Sequence, residues 1–389
     1  MKQILDNLFI FKDMKKKLKF ISLAMISVLV LASCEGPMGP IGPVGPEGPE
    51  GPQGPEANAA CAPCHKPVSV DSIYFDYDRF AAHSGTTLRT GGGGACAVCH
   101  TQEGFVYAAK NNVSSIPTAI NSNISKPFNC YTCHSDIHTK YDWSLTTTAP
   151  VKLEMWQGTK TADIKSGNSS SNLCLRCHQP RSVTGIGNIL SNLGAINTTL
   201  GANPAYSAGI HYNSGQVLAA GVGGIEFVGS EAYKNSSHVA ATSCATCHMP
   251  KKSSLPGYLG HRFGISGNYD ACATCHQGMT AGHALNTGSK AAIETLIGQL
   301  ADKLKNVVGS GNDIVMPNGN LSVYNATNNP AGYWGAPGNL AFSTLTLTNA
   351  QFGAIINYQL VARSAGARSG AHNFPYVKAL LQNSIEALN

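Results

Sequence analysis

Charge is scarce in this chain. Only 12% of its 389 residues are Asp, Glu, Lys or Arg, while 42 are glycine, so much of the backbone should be irregular and rich in loops. The formal net charge of +6 is also unevenly placed. Residues 1–33 hold six Lys and two Asp, which leaves 21 basic and 19 acidic residues, a net of +2, for everything after them. No basic patch remains to attract a polyanion, so nucleic acid is excluded as a partner. The apolar run from Phe20 to Ala32 is too short and wrongly flanked for a spanning helix. Cysteine outside pairs is nearly absent as well: twelve of the 13 sit in Cys-x-x-Cys pairs.

Every one of those pairs is followed at once by histidine. The six motifs are Cys61-Ala-Pro-Cys64-His65, Cys96-Ala-Val-Cys99-His100, Cys130-Tyr-Thr-Cys133-His134, Cys174-Leu-Arg-Cys177-His178, Cys244-Ala-Thr-Cys247-His248 and Cys272-Ala-Thr-Cys275-His276. Zinc knuckles or a disulfide framework would use paired cysteines, but neither needs a histidine after each pair. Covalent haem does. Two thiols add to the two vinyl groups of one porphyrin, and the next histidine binds its iron from below. The expected cofactors are six c-type haems, with His65, His100, His134, His178, His248 and His276 as proximal ligands.

The iron of each haem also wants a sixth ligand. Removing the six motif histidines from 13 leaves His83, His138, His211, His238, His261, His283 and His372. The first three, His238, His261 and His372 are the expected distal ligands, and His283 is a further candidate. Met249 directly follows a proximal histidine and cannot easily reach across the same iron. Bis-histidine ligation lowers the potential relative to methionine ligation. It also closes both axial positions, so such irons pass electrons and do not bind small substrates.

Four lysines, Lys15, Lys16, Lys17 and Lys19, precede the apolar run, and Leu31-Ala32-Ser33-Cys34 ends it. This pattern resembles a bacterial lipoprotein signal over 1–33, with Met14 as an alternative start and Cys34 as the lipidated residue. The resemblance implies an exported protein with a lipid anchor. Glu35, where Asp would favour inner-membrane retention, points to the outer membrane, at its periplasmic face or at the cell surface. Seven Gly-Pro-X triplets follow from Gly36 to Glu56. Proline in each triplet enforces polyproline II, which would extend roughly 60 Å at about 3.1 Å per residue. Residues 34–56 are therefore read as a stiff spacer; three chains winding into a collagen-like homotrimer is the other option.

Residues 57–287 carry the motifs, with a long insertion from Arg181 to Ser243, and 288–389 form a haem-free helical region. Ala291 to Val307 sets Ile293, Leu296, Ile297, Leu300 and Leu304 at helical spacing. After a Gly/Asn/Pro-rich excursion over 309–347 with Trp334, Thr348 and Gln351 form a capping box. The helix that follows should place Phe352, Ile355, Ile356 and Leu360 on one face. A last helix should start at Pro375.

With the motifs Cys174-Leu-Arg-Cys177-His178-Gln179 and Cys244-Ala-Thr-Cys247-His248-Met249-Pro250, residues 57–389 resemble outer-surface multihaem c-type cytochromes of anaerobically respiring bacteria. The tail from Ala350-Gln351-Phe352 to Gly370-Ala-His372-Asn373 is similar to the superfamily of pentahaem nitrite reductase and hydroxylamine oxidoreductase. The resemblance implies a mainly α fold with extensive loops, organised by packed haems and closed by C-terminal helices, with His372 a distal ligand. It implies electron transfer in anaerobic or extracellular respiration, with other redox proteins or extracellular acceptors as partners. Two alternatives stay open. One is a reductase of a small nitrogen or sulfur oxyanion with one open iron, although no motif here ends in the lysine that nitrite reductases often use. The other is a surface assembly component built on the collagen-like stalk.

Overall fold

A computed structural model of the chain describes residues 67–80, 83–85, 87–91, 94–124, 126–137, 143–181, 214–249, 251, 260–265, 269–277, 279, 287–305, 307, 313–315, 321–324 and 347–389. The chain divides into Met1–Glu56 and Ala57–Asn389, and all described residues belong to the second unit. The signal and stalk segments, Cys34, the first motif (Cys61, Cys64, His65), His138, His211, His283 and Trp334 lie outside the described residues.

Helices and irregular segments dominate what is described, in keeping with a mainly α fold. In chain order the helices are α1 (Pro67–Phe80), α2 (Ala97–His100), α3 (Gln102–Asn111), α4 (Thr118–Asn121), α5 (Cys130–Cys133), α6 (Ser171–Leu175), α7 (Ser237–Ala241), α8 (Cys244–His248), α9 (Asp270–Ala273), α10 (Thr287–Leu304), α11 (Asn349–Ala362), α12 (Ala365–Arg368) and α13 (Phe374–Ala387). Strand occurs only as two antiparallel ribbons among the described residues. One joins β1 (Val151–Lys152) to β2 (Thr161–Ala162); the other joins β3 (Asp313–Val315) to β4 (Leu321–Tyr324). The second ribbon lies within the excursion that composition marks as irregular.

The largest apolar cluster draws Val151, Leu153, Met155 and Leu175 together with Val217, Leu218, Ile225 and Phe227, and packs them on α10, α11 and α13. Residues on both sides of the 287/288 boundary thus share one core. Helix α10 starts a turn earlier than the apolar spacing suggests and turns Ile293, Leu296, Leu300 and Leu304 inward. The Thr348 hydroxyl accepts from the Gln351 amide to cap α11, and Pro375 stands in the first turn of α13. Both ends follow from sequence chemistry.

One expectation changes in detail. Helix α11 is buried nearly all round and does not present a single apolar face. One of its polar residues, Asn357, points inward and takes the place of a sheet partner. The Asn357 side chain accepts from the Ile225 amide at 2.8 Å and donates to the Ile225 carbonyl at 2.7 Å and to Ser384 Oγ at 2.9 Å. In α13, Asn383 likewise accepts from the Glu231 amide at 3.1 Å and donates to the Glu231 carbonyl at 3.0 Å. A buried backbone group left unbonded costs about 1–3 kcal/mol, so Asn357 makes the irregular backbone at the buried Ile225 compatible with burial, while Asn383 anchors the partly covered Glu231.

Candidate metal centres

Each described motif folds as one short helical turn. The amides of His100, His134, His178 and His276 donate to the carbonyls of Cys96, Cys130, Cys174 and Cys272 at 3.1, 3.0, 3.0 and 2.8 Å. Positions i, i+3 and i+4 of a turn share one face, so both thiols and the imidazole can address a single flat group. Two of these turns carry their own capping box: Asn129 with Thr132 starts α5, and Ser243 with Thr246 starts α8. The threonine inside each motif is therefore a cap residue, a role that the Asn-x-x-Thr and Ser-x-x-Thr spacing could have signalled.

Four of the seven spare histidines are described, and each faces the histidine of a different motif. The ring centroids are 6.0 Å apart for His83 and His178, 6.4 Å for His261 and His134, 5.9 Å for His238 and His276, and 6.2 Å for His372 and His248. These separations are informative. A direct hydrogen bond between two imidazoles would bring the centroids to about 5.2 Å, taking about 2.9 Å between nitrogens. Two metal–nitrogen bonds of about 2 Å on opposite sides of one ion give about 6.3 Å. The observed gaps leave room for an ion between the rings, and the paired imidazoles are of the donor type that suits haem iron. No cluster of three or more His, Cys, Asp or Glu able to hold a metal by itself occurs among the described residues.

Second contacts leave one ring nitrogen available. His134 Nδ1 meets the Trp143 carbonyl at 2.8 Å, His248 Nδ1 meets the Phe263 carbonyl at 2.9 Å, and His238 Nδ1 meets the Ala371 carbonyl at 3.4 Å. A carbonyl can only accept, so Nδ1 carries the proton and Nε2 keeps its lone pair for a metal. Trp143 also sets its ring edge against His134, with centroids 5.6 Å apart. His372 is held differently: its amide donates to the Gly366 carbonyl at 3.1 Å, and a Cβ on Gly366 would collide with the imidazole. Its Nδ1 is buried with no hydrogen-bond partner among the described residues.

Electrostatics favours neutral imidazoles, the form that ligates metals. Burial, reinforced by the nearby His178, lowers the His83 pKa to about 4. Burial, reinforced by His248, His178 and His238, lowers that of His372 to about 4. Burial also lowers His134, opposed by the carbonyls of Trp143 and Ser144.

The motifs touch one another. The thiols of Cys99 and Cys177 lie close enough to influence each other's ionisation, as do those of Cys174 and Cys244. The Cys244 amide donates to Ser171 Oγ at 2.9 Å, tying α8 to α6. The Cys174 thiol pulls Cys244 down to about 7, while burial pushes Cys133 up to about 12. The Cys130 and Cys275 side chains, on the third and sixth motifs, are exposed; the other described cysteines are partly covered.

No family model matches the chain, and neither does any curated protein or solved structure. Sequence reasoning did not find Trp143, Phe263, Ala371 and Gly366, which act on the imidazoles. All four work through a backbone carbonyl or through the lack of a side chain, and only the Gly370-Ala-His372 context touched one of them, Ala371.

Proposed function

We propose that this chain is an exported, lipid-anchored hexahaem c-type cytochrome that relays electrons at the outer membrane, in anaerobic or extracellular respiration. The observation that carries the reading is the set of four imidazole pairs, each joining a motif histidine to a spare histidine about 6 Å away. Cys96 and Cys99, Cys130 and Cys133, Cys174 and Cys177, Cys244 and Cys247, and Cys272 and Cys275 would anchor five of the haems. Cys61, Cys64 and His65 would hold the other. The bound haem supplies one-electron chemistry between ferric and ferrous iron.

What the chain itself does is hold, orient and cover. The motif turns fix the thiols and proximal imidazole on one face. Carbonyls of Trp143, Phe263 and Ala371 hold Nδ1–H and so fix each ring's orientation. Two imidazoles at each of these four centres leave no place there for a substrate, which favours a carrier over the reductase alternative. Contacts between motifs, as at Cys174 and Cys244, keep neighbouring centres close enough for electrons to pass. Redox proteins or extracellular acceptors would be the partners, and the lipid on Cys34 with the 34–56 spacer would set the distance from the membrane. No helix among the described residues is long and apolar enough to cross a membrane.

Intact mass and pyridine haemochrome spectra of the exported protein test the cofactor count. Six covalent haems per chain are expected; bound zinc, or disulfides with no covalent haem, would sink the proposal.

A further inference from the structure

Residues His261, Arg262 and Phe263 each reach a different place. His261 faces His134, with centroids 6.4 Å apart. Arg262 Nε lies 3.3 Å from the buried Asp76 carboxylate of α1, which pins the tripeptide from outside. Phe263 does three things at once. Its carbonyl meets His248 Nδ1 at 2.9 Å. Its ring meets that of His83 at 4.9 Å and 78°, and that of His261 at 5.7 Å and 81°. His83 and His261 are the spare histidines of the fourth and third motifs, and His248 is the motif histidine of the fifth.

The backbone makes this arrangement unusual. Phe263 has φ of 55°, in the left-handed region that bulky residues rarely enter and that glycine occupies without strain. Phenylalanine here accepts strain that glycine would avoid. The ring offsets it through near-perpendicular contacts with two imidazoles, an arrangement favoured by the charge distribution of aromatic rings.

We propose that Phe263 is a positioning residue shared by three centres: its carbonyl orients the His248 ring, and its side chain sets the ring planes of His83 and His261. The inference rests on the haem reading above. Because relative orientation of the two axial imidazole planes sets the g anisotropy of low-spin ferric iron, the role has a spectroscopic signature that simple loss of stability lacks.

The test is low-temperature EPR of the exported, haem-loaded protein. His83→Ala, His261→Ala and His372→Ala first assign three low-spin signals, each by its loss. Phe263→Gly keeps the left-handed backbone and the carbonyl but deletes the ring. It should shift the signals assigned by His83→Ala and His261→Ala and leave the one assigned by His372→Ala in place. Phe263→Val, a β-branched residue disfavoured in that conformation, should move all three. If Phe263→Gly does not accumulate, Phe263→Leu takes its place, with the same two signals expected to move. Unshifted signals, or movement only of the His372 signal, would overturn the proposal. A lower melting temperature with unshifted signals would do the same. Wild-type protein without any low-spin ferric signal would instead count against the haem reading itself, so the two failures are distinguishable.

Discussion

Helix α11 buries twelve of its 14 residues, whereas α7 and α8, which carry His238 and the fifth motif, bury none of their five residues each. The first helix belongs to a core of the ordinary kind, in which Phe352, Leu380 and Ile293 exclude water. The second pair are single turns, far below the ~12–15 residues at which an isolated helix becomes even marginally stable. Around the second and third motifs the apolar clusters are also small: Ala97, Val98, Ala108 and Ile116 in one, Phe105, Ala109 and Leu173 in the other. Burial can hold the C-terminal helices. The exposed turns α7 and α8 lack such burial, and under the haem reading the crosslinks at the thiol pairs would supply what packing does not; the fourth motif differs, since α6 buries four of its five residues.

The largest expected effect separates the two regions outright. Chain made with all six cysteine pairs changed to alanine should lose amide-exchange protection over 97–134 and 237–276 while retaining it over 349–387. Equal protection in both would show that the motif region holds itself. Next in size, Phe352→Ala should cost about 3–5 kcal/mol in denaturant unfolding, because its ring is fully buried. A loss below ~1 kcal/mol would mean that this core is not what supports the C-terminal helices.

Acid should act on both regions, at His83 beside the motifs and at His372 between α12 and α13. His83 and His372 are held near pKa 4, against an ordinary value of 6.5. Between those values the unfolded chain binds more protons than the folded one, so stability rises with pH through that window. The melting temperature of haem-free chain should therefore fall as pH drops from 6.5 to 4, and His372→Gln should flatten that slope. A slope unchanged by the substitution would place the titrating groups elsewhere. The smallest effect is the cap of α11. Thr348→Ala should lower stability by about 1 kcal/mol, and a neutral result would mean that packing alone sets the start of that helix.

Local chemistry was legible in the sequence. The capping box at Thr348, the proline that opens α13 and the inward stripe of α10 all depend on neighbours within a turn or two, and they fall where those rules place them. What was not legible depends on distant partners. Asn357 looks like an outward residue until Ile225 comes beside it. His83 precedes the second motif in the chain yet faces His178 of the fourth, and His238 precedes the fifth yet faces His276 of the sixth. The positive φ of Phe263 carries no sequence mark at all, because only the two imidazoles against its ring give a reason for a side chain there.

The central claim is that facing histidines from different motifs close the irons. Near-infrared magnetic circular dichroism of the oxidised protein tests it most directly, on the wild type and on His83→Ala, His238→Ala, His261→Ala and His372→Ala. The account predicts bis-histidine bands in the wild type and, in each variant, conversion of a single haem from low spin to high spin. Variants that leave every haem low spin with its bis-histidine band intact would contradict it.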